Sequence, residues 1–360
     1  MEFLETAWKG FRNLKPRRQK WRSGLNVLLG PNGSGKTNLL EALSVLCGWG
    51  AFPGNKTSSL VAWNSLDNQV LVTGSAGGER EIEVEARLVL TARGVQTSLR
   101  AANEKATYAD LRSLLPSLSF LPTDIDLLDG APSVRRLFLD KLCALCSPLY
   151  ARRLAEYRQL VRQRTVLLRK RSSVRVTTVP LVQLGGWIWE SRRKTVDLLA
   201  EALKQNNVLL PFETEIALVR RGFPLSSASQ NSSATQELAA ALEASLERER
   251  ASGQVLVGPH RDDLLFSCLG RPAASALSRG QKRRTVMAAI LASGRVVESK
   301  LRHAPILLLD DVAAELDTEG RELAGRALLE TGWQVFVTGT ENPFPSIPHT
   351  LFLLRQGDFE

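Results

Sequence analysis

A glycine-rich stretch between an apolar run and a helical pattern constrains this fold more than any other feature. It reads GPNGSGKT and occupies residues 30–37. The apolar run LNVLLG at 25–30 precedes it, and apolar residues recur at helical spacing from 36 to 46. A strand, a tight turn and a helix in that order indicate an α/β fold in which the turn follows the carboxyl end of a sheet strand.

The spacing within this stretch is that of a phosphate-binding loop. Gly30, Gly33 and Gly35 let backbone N–H groups face an anion, and the helix from Lys36 directs its positive end to the same point. We expect Lys36 to reach the β- and γ-phosphates of a nucleotide and Thr37 to ligate Mg²⁺. The remaining residues of the predicted nucleotide-binding loop are Pro31, Asn32, Ser34 and Asn38.

A second motif, PILLLDDVAAELD, occupies residues 305–317. Its apolar residues predict a buried strand that ends at Asp310, on the sheet edge where parallel sheets bind ligands. We expect Asp310 to hold Mg²⁺, directly or through water, and Asp311 to orient or deprotonate an attacking water. Adjacent carboxylates repel unless a cation or a proton offsets them. The alternative that both residues only begin a turn stays open.

A third motif, LSRGQKRR at 277–284, places a serine and a glycine at the start of a predicted helix. Such a start can bind an anion through its free N–H groups. It can equally be a structural cap, in which Ser278 closes a helix that begins at Arg279. The motif alone does not separate these two interpretations.

The charge balance predicts a polyanionic partner. The 360 residues contain 47 Lys and Arg against 37 Asp and Glu, a net charge of +10. Positive residues cluster at 152–175 and near the amino terminus, and such clusters bind phosphates without reading sequence. A basic surface without a partner is the alternative. The amino-terminal cluster comprises Lys9, Arg12, Lys15, Arg17, Arg18, Lys20 and Arg22.

Several classes of protein are excluded by what the sequence lacks. It has no apolar run of about 18 residues and no secretory leader pattern, so we expect no membrane span. Four cysteines predict a reducing cytoplasm and no disulfide framework. Cys143 and Cys146 form a single CxxC in an apolar helical run, which favours buried structural cysteines over a zinc site.

The middle of the chain changes character from strands to helices. We predict helices over 133–146, 150–170, 182–206 and 236–250, a turn over 171–181, a loop over 226–233, and strands at 254–258 and 263–269. The two longest helices form an antiparallel arm. The length suits two domains. We predict one lobe from 1–122 and 253–360, and an inserted helical lobe over 123–252.

Together the three motifs resemble an ABC-type ATPase head, in which LSRGQ is similar to the signature motif and AAELD to the D-loop. More residues separate Lys36 from Ser278 than in transporter ATPases, and far fewer than in SMC proteins. This spacing resembles the RecF family of bacterial DNA replication and repair proteins. Further similar segments are FRN at 11–13, RRLFLD at 135–140 and GPHRDDL at 258–264.

The resemblance implies an α/β ATPase head with an inserted, mainly helical lobe, like an SMC head without its long coiled coil. It implies ATP and Mg²⁺ as cofactors and an ATP-dependent, head-to-tail homodimer. Ser278 and Gly280 would contact the γ-phosphate across the interface, and Lys36 and Asp311 would be catalytic. The wider nucleotide set it implies adds Arg12, Arg279, Gln281 and Asp317.

The resemblance also implies binding to single-stranded, gapped or duplex DNA, and action with RecR and RecO to promote RecA loading at gaps during DNA damage and the SOS response. Slow, DNA-stimulated hydrolysis is expected because Asp311 stands where ABC enzymes carry Glu. Gln69 is a poor Q-loop candidate. Thr338 and Thr340 lie where the family pattern has a switch histidine. An ABC transporter subunit and a non-hydrolysing, ATP-gated scaffold are the alternative functions.

Four further residues have two interpretations each. Arg135 and Arg136 either contact DNA or pair with Asp126 or Asp140. His260 is either catalytic or part of a structural turn, and the turn is favoured. Asp317 either contacts the partner's nucleotide or caps a helix that begins at Thr318.

Overall fold

The structure, a computed structural model, describes residues 1–62, 68–78, 80–205, 207–220, 233–314 and 316–360. It divides into two compact units. Unit 1 comprises residues 1–125, 206–211 and 278–360, and unit 2 comprises residues 126–205 and 212–277. The chain enters unit 2 at 125/126, where the sequence predicted 122/123. It leaves unit 2 at 277/278, where the sequence predicted 252/253.

Unit 1 contains an antiparallel six-stranded sheet in the order β2-β1-β4-β5-β6-β7. Strand β5 shows the alternation expected of a sheet with one buried face, since Val84, Ala86 and Leu88 are buried and the residues between them are not. The strands are β1 (Glu2–Lys9), β2 (Arg17–Lys20), β4 (Gln69–Gly77), β5 (Ile82–Thr91), β6 (Gly94–Ala101) and β7 (Glu104–Ala106).

A second six-stranded sheet of unit 1 carries the predicted motifs. Its order is β15-β14-β3-β13-β12-β8, and every pair is parallel except β14 with β15. Its strands are β3 (Leu25–Leu29), β8 (Ser117–Phe120), β12 (Ile306–Leu309), β13 (Val335–Gly339), β14 (Thr350–Arg355) and β15 (Asp358–Phe359). The helices of unit 1 are α1 (Lys36–Leu46), α2 (Tyr108–Leu114), α9 (Arg279–Leu301) and α10 (Thr318–Thr331).

The core of unit 1 packs α1 among residues of both sheets. Leu39, Leu40 and Leu43 of α1 belong to one buried cluster with Val72 of β4 and Phe336 of β13. Burial of this apolar surface stabilises the unit by roughly 25 cal/mol per Å² removed from water. Because α1 is held in this way, the loop that precedes it has a fixed position on the parallel sheet.

Unit 2 is mainly helical, with one small antiparallel sheet in the order β11-β10-β9. Helices α5 and α6 form the predicted antiparallel arm. The helices are α3 (Asp126–Asp129), α4 (Pro132–Cys146), α5 (Tyr150–Arg169), α6 (Arg175–Gln205), α7 (Ala234–Ser252) and α8 (Ala273–Ala276), and the strands are β9 (Thr214–Val219), β10 (Asp263–Cys268) and β11 (Arg271–Pro272).

The predicted turn over 171–181 is wrong, because α6 begins at Arg175 and contains Pro180. A proline this far into a helix removes one backbone hydrogen bond. The first turns are held instead by side chains. Thr177 is buried and its hydroxyl donates to the Val174 carbonyl, while Arg164 donates to the hydroxyl of Thr178. These contacts therefore outweigh the local preference of the sequence around Pro180 for a turn.

The predicted strand over 254–258 is also wrong. Side chains use the backbone groups that a strand partner would need. The N–H of Leu256 donates to Glu249, and the carbonyl of Val255 accepts from Arg261. The following strand, β10, pairs with β9 from residues 214–219, and this long-range pairing keeps residues 253–277 within unit 2.

The predicted loop over 226–233 lies outside the described residues except for Ser233, which caps α7. Cys143 is buried in α4, and its thiol lies 3.4 Å from the hydroxyl of Thr195. Within the described part of the chain no group of three or more His, Cys, Asp or Glu side chains is placed to hold a metal. None of the described helices combines the length and the apolar character needed to cross a membrane.

Candidate nucleotide site

The phosphate-binding loop, residues 30–37, connects the end of β3 to the start of α1 as the sequence predicts. Gly35 caps α1 with φ of 104°, a conformation that side chains disfavour. A Cβ atom at Gly30 would lie 2.0 Å from the carbonyl oxygen of Leu354. Both glycines are therefore required by geometry, and the N–H groups of the first turn of α1 point out of the loop.

Lys36 folds back across this loop. Its Nζ atom donates to the carbonyl oxygens of Gly30 at 2.7 Å and Pro31 at 3.0 Å. Burial lowers the pKa of Lys36, and the nearby carboxylates of Asp310 and Asp311 oppose that shift. The ammonium group is thus held over the concave side of the loop.

Asp310 follows β12 and sits among three polar groups. The hydroxyl of Thr37 lies 3.0 and 2.9 Å from its two carboxylate oxygens, and the hydroxyl of Thr338 donates to Oδ1 at 2.7 Å. Burial is the largest cause of the raised pKa of Asp310, and the two hydroxyls lower it. A buried carboxylate paired with hydroxyls, with Lys36 nearby, is a group that a cation would stabilise.

Asp311 is exposed beside this carboxylate with φ of 49°, the left-handed region that non-glycine residues rarely adopt. Its N–H donates to the hydroxyl of Thr338 at 2.9 Å. Thr338 therefore bridges the two residues of the motif, since it donates to the carboxylate of Asp310 and accepts from the backbone N–H of Asp311. Strained backbone of this kind is common where a side chain must be aimed at a site.

A cavity of about 770 Å³ opens above these residues. Lys36, Thr37, Asp310 and Asp311 line it, and so do the Thr338 and Thr340 that stand in place of a switch histidine. Among the described residues that line this cavity, neither Gln69 nor any residue of 278–281 appears. Gln69 instead lies on β4 and accepts from Arg87.

A series of hydrogen-bonded side chains joins Arg12 to the phosphate-binding loop. Nη2 of Arg12 lies 2.6 Å from Oε2 of Glu41, and Nη1 donates to Asn38 at 3.3 Å. Asn38 then donates to Asn13, which donates to the carbonyl of Gly33. Arg12 and Asn38 were predicted from the sequence, whereas the roles of Asn13 and Glu41 were not.

Glu41 is the centre of this series. It is fully buried on α1, and Oε1 accepts from the N–H of Phe52 at 2.7 Å and from Asn55 at 3.2 Å. Asn55 also lines the cavity. Glu41 is the one acidic residue among the apolar residues of α1, and this was the sequence signal that could have indicated its role.

The signature-like segment opens α9 as predicted. Ser278 caps the helix, its hydroxyl accepts from the N–H of Gln281 at 3.4 Å, and its own N–H donates to Gln281 Oε1 at 2.9 Å. Ser278 and Arg279 are exposed. Asp317 caps α10, since Oδ1 accepts from the N–H of Gly320 at 2.8 Å, and Glu315 of the D-loop lies outside the described residues.

The ambiguous residues of unit 2 have structural partners. Arg135 forms two hydrogen bonds to Asp263, at 2.6 and 3.0 Å, and Arg136 donates to the carbonyl of Asp262 at 2.8 Å. The expected partners of Arg135 and Arg136, Asp126 and Asp140, were wrong. His260 lies in a short helical turn, where Nδ1 meets the hydroxyl of Tyr157 at 2.8 Å.

The two basic clusters differ in how far they are neutralised. In the amino-terminal cluster, four of the seven residues pair with a carboxylate: Arg12, Lys15, Arg17 and Arg18. On the arm, Arg152, Arg158 and Arg164 do the same. Within the described part of the chain, five exposed arm residues form no ion pair: Arg162, Arg169, Lys170, Arg171 and Arg175. These five residues are named the basic arm.

Comparison with known proteins gives consistent matches. The family model described as RecF/RecN/SMC N terminal domain matches residues 4–355. The DNA replication and repair protein RecF of Moorella thermoacetica is 34% identical over 338 residues, which is 92% of this chain and 88% of that protein.

Solved structures agree on the fold. A structure of the recombination mediator protein RecF with ATPrS superposes with a TM-score of 0.85 at 24% identity, covering 99% of this chain and 97% of that one. An SmcHead bound to the C-winged helix domain of ScpA gives a TM-score of 0.58 at 15% identity, over 100% and 96% of the two chains. The predicted class, an ABC-type α/β ATPase head with an SMC-like fold, is confirmed.

Proposed function

The chain belongs to the RecF family of DNA replication and repair proteins, and on that premise we propose that it is an ATP-dependent DNA-binding protein of recombinational repair and replication-fork maintenance. One observation carries the nucleotide part of this proposal. Lys36, Thr37, Asp310 and Asp311 come from two distant segments and line one cavity around the phosphate-binding loop.

The cavity suits ATP in size and in chemistry. Its volume of about 770 Å³ is in the range of nucleotide pockets. Ser34 lines it with a buried hydroxyl that has no hydrogen-bond partner among the described residues, so it is free to donate to a phosphate oxygen. The loop N–H groups and Lys36 would hold the β- and γ-phosphates.

The residues beside the loop suit Mg²⁺. Thr37 and Asp310 offer hard oxygen atoms, and Mg²⁺ is usually held by one or two such protein ligands together with phosphates and water. When bound, the ion would neutralise charge on the transferring phosphate. Asp311 would orient the attacking water. Its side chain is one methylene shorter than the glutamate of ABC enzymes, which supports slow hydrolysis.

The signature segment supports an ATP-dependent, head-to-tail homodimer. Ser278 and Arg279 are exposed at the start of α9 and do not line the cavity formed by their own chain. We propose that Ser278, Arg279, Gly280 and Gln281 contact the γ-phosphate held by a second copy, with Asp317 nearby. ATP then stabilises the dimer by mass action, and loss of the γ-phosphate releases it.

The basic arm supports DNA binding. Its five positive side chains are not neutralised within the chain and lie in the last turns of α5, in the connection and in the first turn of α6. Contacts to phosphates from such a surface bind single-stranded, gapped or duplex DNA without sequence preference. Family membership supports action with RecR and RecO to promote RecA loading. A cytoplasmic location stays a prediction.

Fluorescence anisotropy of a labelled gapped duplex, titrated with protein, tests this proposal. We expect tighter binding with ATP–Mg²⁺ than with ADP or without nucleotide. Lys36→Met should remove that nucleotide dependence, because a charged hydrogen bond to phosphate contributes about 1.5–3 kcal/mol. DNA affinity that is the same in all three conditions, or an ATP response that survives Lys36→Met, would contradict the proposal.

A further inference from the structure

Unit 2 contains a second cavity, of about 440 Å³, which the proposed nucleotide site does not use. It is lined by residues at the start of α4, near the end of α7 and in the turn Pro259–Arg261. Each of these three segments contributes one arginine, namely Arg136, Arg248 and Arg261. The described residues that line it include no Asp or Glu. We name this feature the arginine cavity.

The charges of these three arginines are not cancelled by ion pairs. Nη1 of Arg136 donates to a backbone carbonyl, and Arg261 donates through Nε and Nη2 to the carbonyl of Val255 at 3.2 and 3.1 Å. In the described ranges none of the three forms a salt bridge, and Arg248 is exposed at the rim. Neutral acceptors orient a guanidinium group and leave its charge available.

The carboxylates nearest to Arg136 are already engaged elsewhere. Asp263 accepts two hydrogen bonds from Arg135, and Asp262 accepts from Arg192 at 2.8 Å and from Trp189. The adjacent arginines 135 and 136 therefore have different roles. The first is neutralised by a buried carboxylate, and the second extends a net positive charge to the cavity.

Two further features make this cavity suitable for an anion. Helix α4 is 15 residues long and begins here at Pro132, after a cap residue, Ala131, that makes no side-chain hydrogen bond. Ala131, Pro132 and Ser133 line the cavity, so the positive end of the α4 dipole lies beside it. His260 also lines the cavity, and burial, with Arg261 and Arg136 adding to it, lowers its pKa to about 4.

We propose that the arginine cavity binds a phosphate group of a nucleic-acid backbone. Guanidinium groups match phosphate oxygens with paired donors, and three of them around one concave site can grip a phosphate without reading a base. This inference rests on the proposed DNA-binding function and adds a specific grip separate from the basic arm.

Two charge reversals on the same helix test the inference. Arg248→Glu changes an arginine that lines the cavity. Arg250→Glu makes the same change of charge on α7, at an exposed residue that pairs with Glu247 and does not line the cavity. Arg136→Gln is a second variant inside the cavity. DNA binding is measured by anisotropy with a gapped duplex between 50 and 200 mM salt, and ATP binding serves as the folding control.

We expect Arg248→Glu and Arg136→Gln to weaken DNA binding by roughly tenfold and to reduce the salt dependence by about one released counterion, as expected for loss of one phosphate contact. Arg250→Glu should change affinity by less than about twofold. Equal losses for Arg248→Glu and Arg250→Glu, or no loss for either cavity variant, would overturn the inference.

A calorimetric titration with inorganic pyrophosphate separates the two sources of phosphate. The wild-type protein should bind one more pyrophosphate than the Arg136→Gln variant. If that difference appears while DNA affinity is unchanged, the cavity takes a free phosphate and the nucleic-acid assignment is overturned. If the wild-type protein does not bind DNA at all, the proposed function fails first, and a missing pyrophosphate difference would then overturn the cavity as well.

Discussion

The hydroxyl of Thr338 donates a 2.7 Å hydrogen bond to the carboxylate of Asp310. The same oxygen accepts the backbone N–H of Asp311, so one side chain at the end of β13 holds the carboxylate of Asp310 and the backbone of Asp311. Because Thr338 is buried and 28 residues away in sequence, this link depends on the parallel pairing of the two strands.

Thr338→Val removes the donor and leaves the shape almost unchanged. We expect a loss of about 1–2 kcal/mol in the free energy of unfolding, because a buried carboxylate and a partly buried N–H both lose a partner. ATP hydrolysis should fall as Asp311 loses its position. The measurements are urea unfolding and steady-state hydrolysis. Thr340→Val is the matched control, since Thr340 lines the cavity and is exposed; equal losses in both variants would contradict this role.

Asp311→Asn keeps the size of the side chain and removes its basicity. If Asp311 orients or deprotonates the attacking water, hydrolysis should fall by about a hundredfold, a usual contribution of a positioned base. ATP binding and dimerisation should persist, because neither depends on that proton. Single-turnover hydrolysis and sedimentation measure the two properties. Unchanged turnover would remove Asp311 from the mechanism, and an absence of turnover in the wild-type protein would favour the ATP-gated scaffold.

Glu41→Gln tests the series of hydrogen-bonded side chains that joins Arg12 to the phosphate-binding loop. The buried carboxylate holds Arg12, Phe52 and Asn55. Removing its charge should cost about 1–3 kcal/mol of unfolding free energy and weaken nucleotide binding. Glu5→Gln is the control, because its partner Arg18 is exposed and such pairs contribute less than about 1 kcal/mol. Normal nucleotide affinity in Glu41→Gln would show that the series does not support the site.

His260 makes stability depend on pH. Burial lowers the pKa of His260 to about 4 in the folded protein from an ordinary 6.5, so the unfolded chain takes up the proton first. The contribution of neutral His260 to the free energy of unfolding is fully present above pH 6.5. It is lost as the pH falls towards 4, at about 1.4 kcal/mol per pH unit. Burial raises the pKa of Asp262 to about 6. Protonation of Asp262 therefore stabilises the folded protein as the pH falls through this value.

The difference in unfolding free energy between the wild-type protein and the His260→Asn variant isolates the contribution of His260 from the opposing contribution of Asp262. Unfolding by urea at several values between pH 7.5 and 4.5 should show the stability advantage of the wild-type protein shrinking as pH falls. Parallel pH curves for the two proteins would contradict the lowered pKa of His260.

The sequence predicted the parts of the site that are contiguous along the chain. The phosphate-binding loop, the strand before Asp310 and the cap at Ser278 each depend on neighbours within a few residues, so local spacing is sufficient. The hydrogen-bonding roles of Asn13, Glu41 and Thr338 were not predicted, because their partners come from other segments. Their hydrogen bonds form only once the helix α1 and the strands β12 and β13 are packed.

The same reason explains the errors in the fold. A proline at position 180 predicts a turn, and only the contacts of Thr177 and Thr178 within unit 2 reveal the helix there. The boundary at 252/253 followed a change from helical to strand pattern. The structure has it at 277/278 because β10 pairs with β9, a relationship that no local pattern contains.

Sedimentation velocity of the purified protein tests the central claim, that ATP gates a dimer through the signature segment. It is run without nucleotide, with ADP and with ATP–Mg²⁺, and repeated with Ser278→Arg, in which a large cation blocks the start of α9. We expect a monomer that dimerises only with ATP, and a Ser278→Arg variant that binds ATP yet stays monomeric. A wild-type monomer in all three conditions, or a Ser278→Arg variant that still dimerises with ATP, would contradict it.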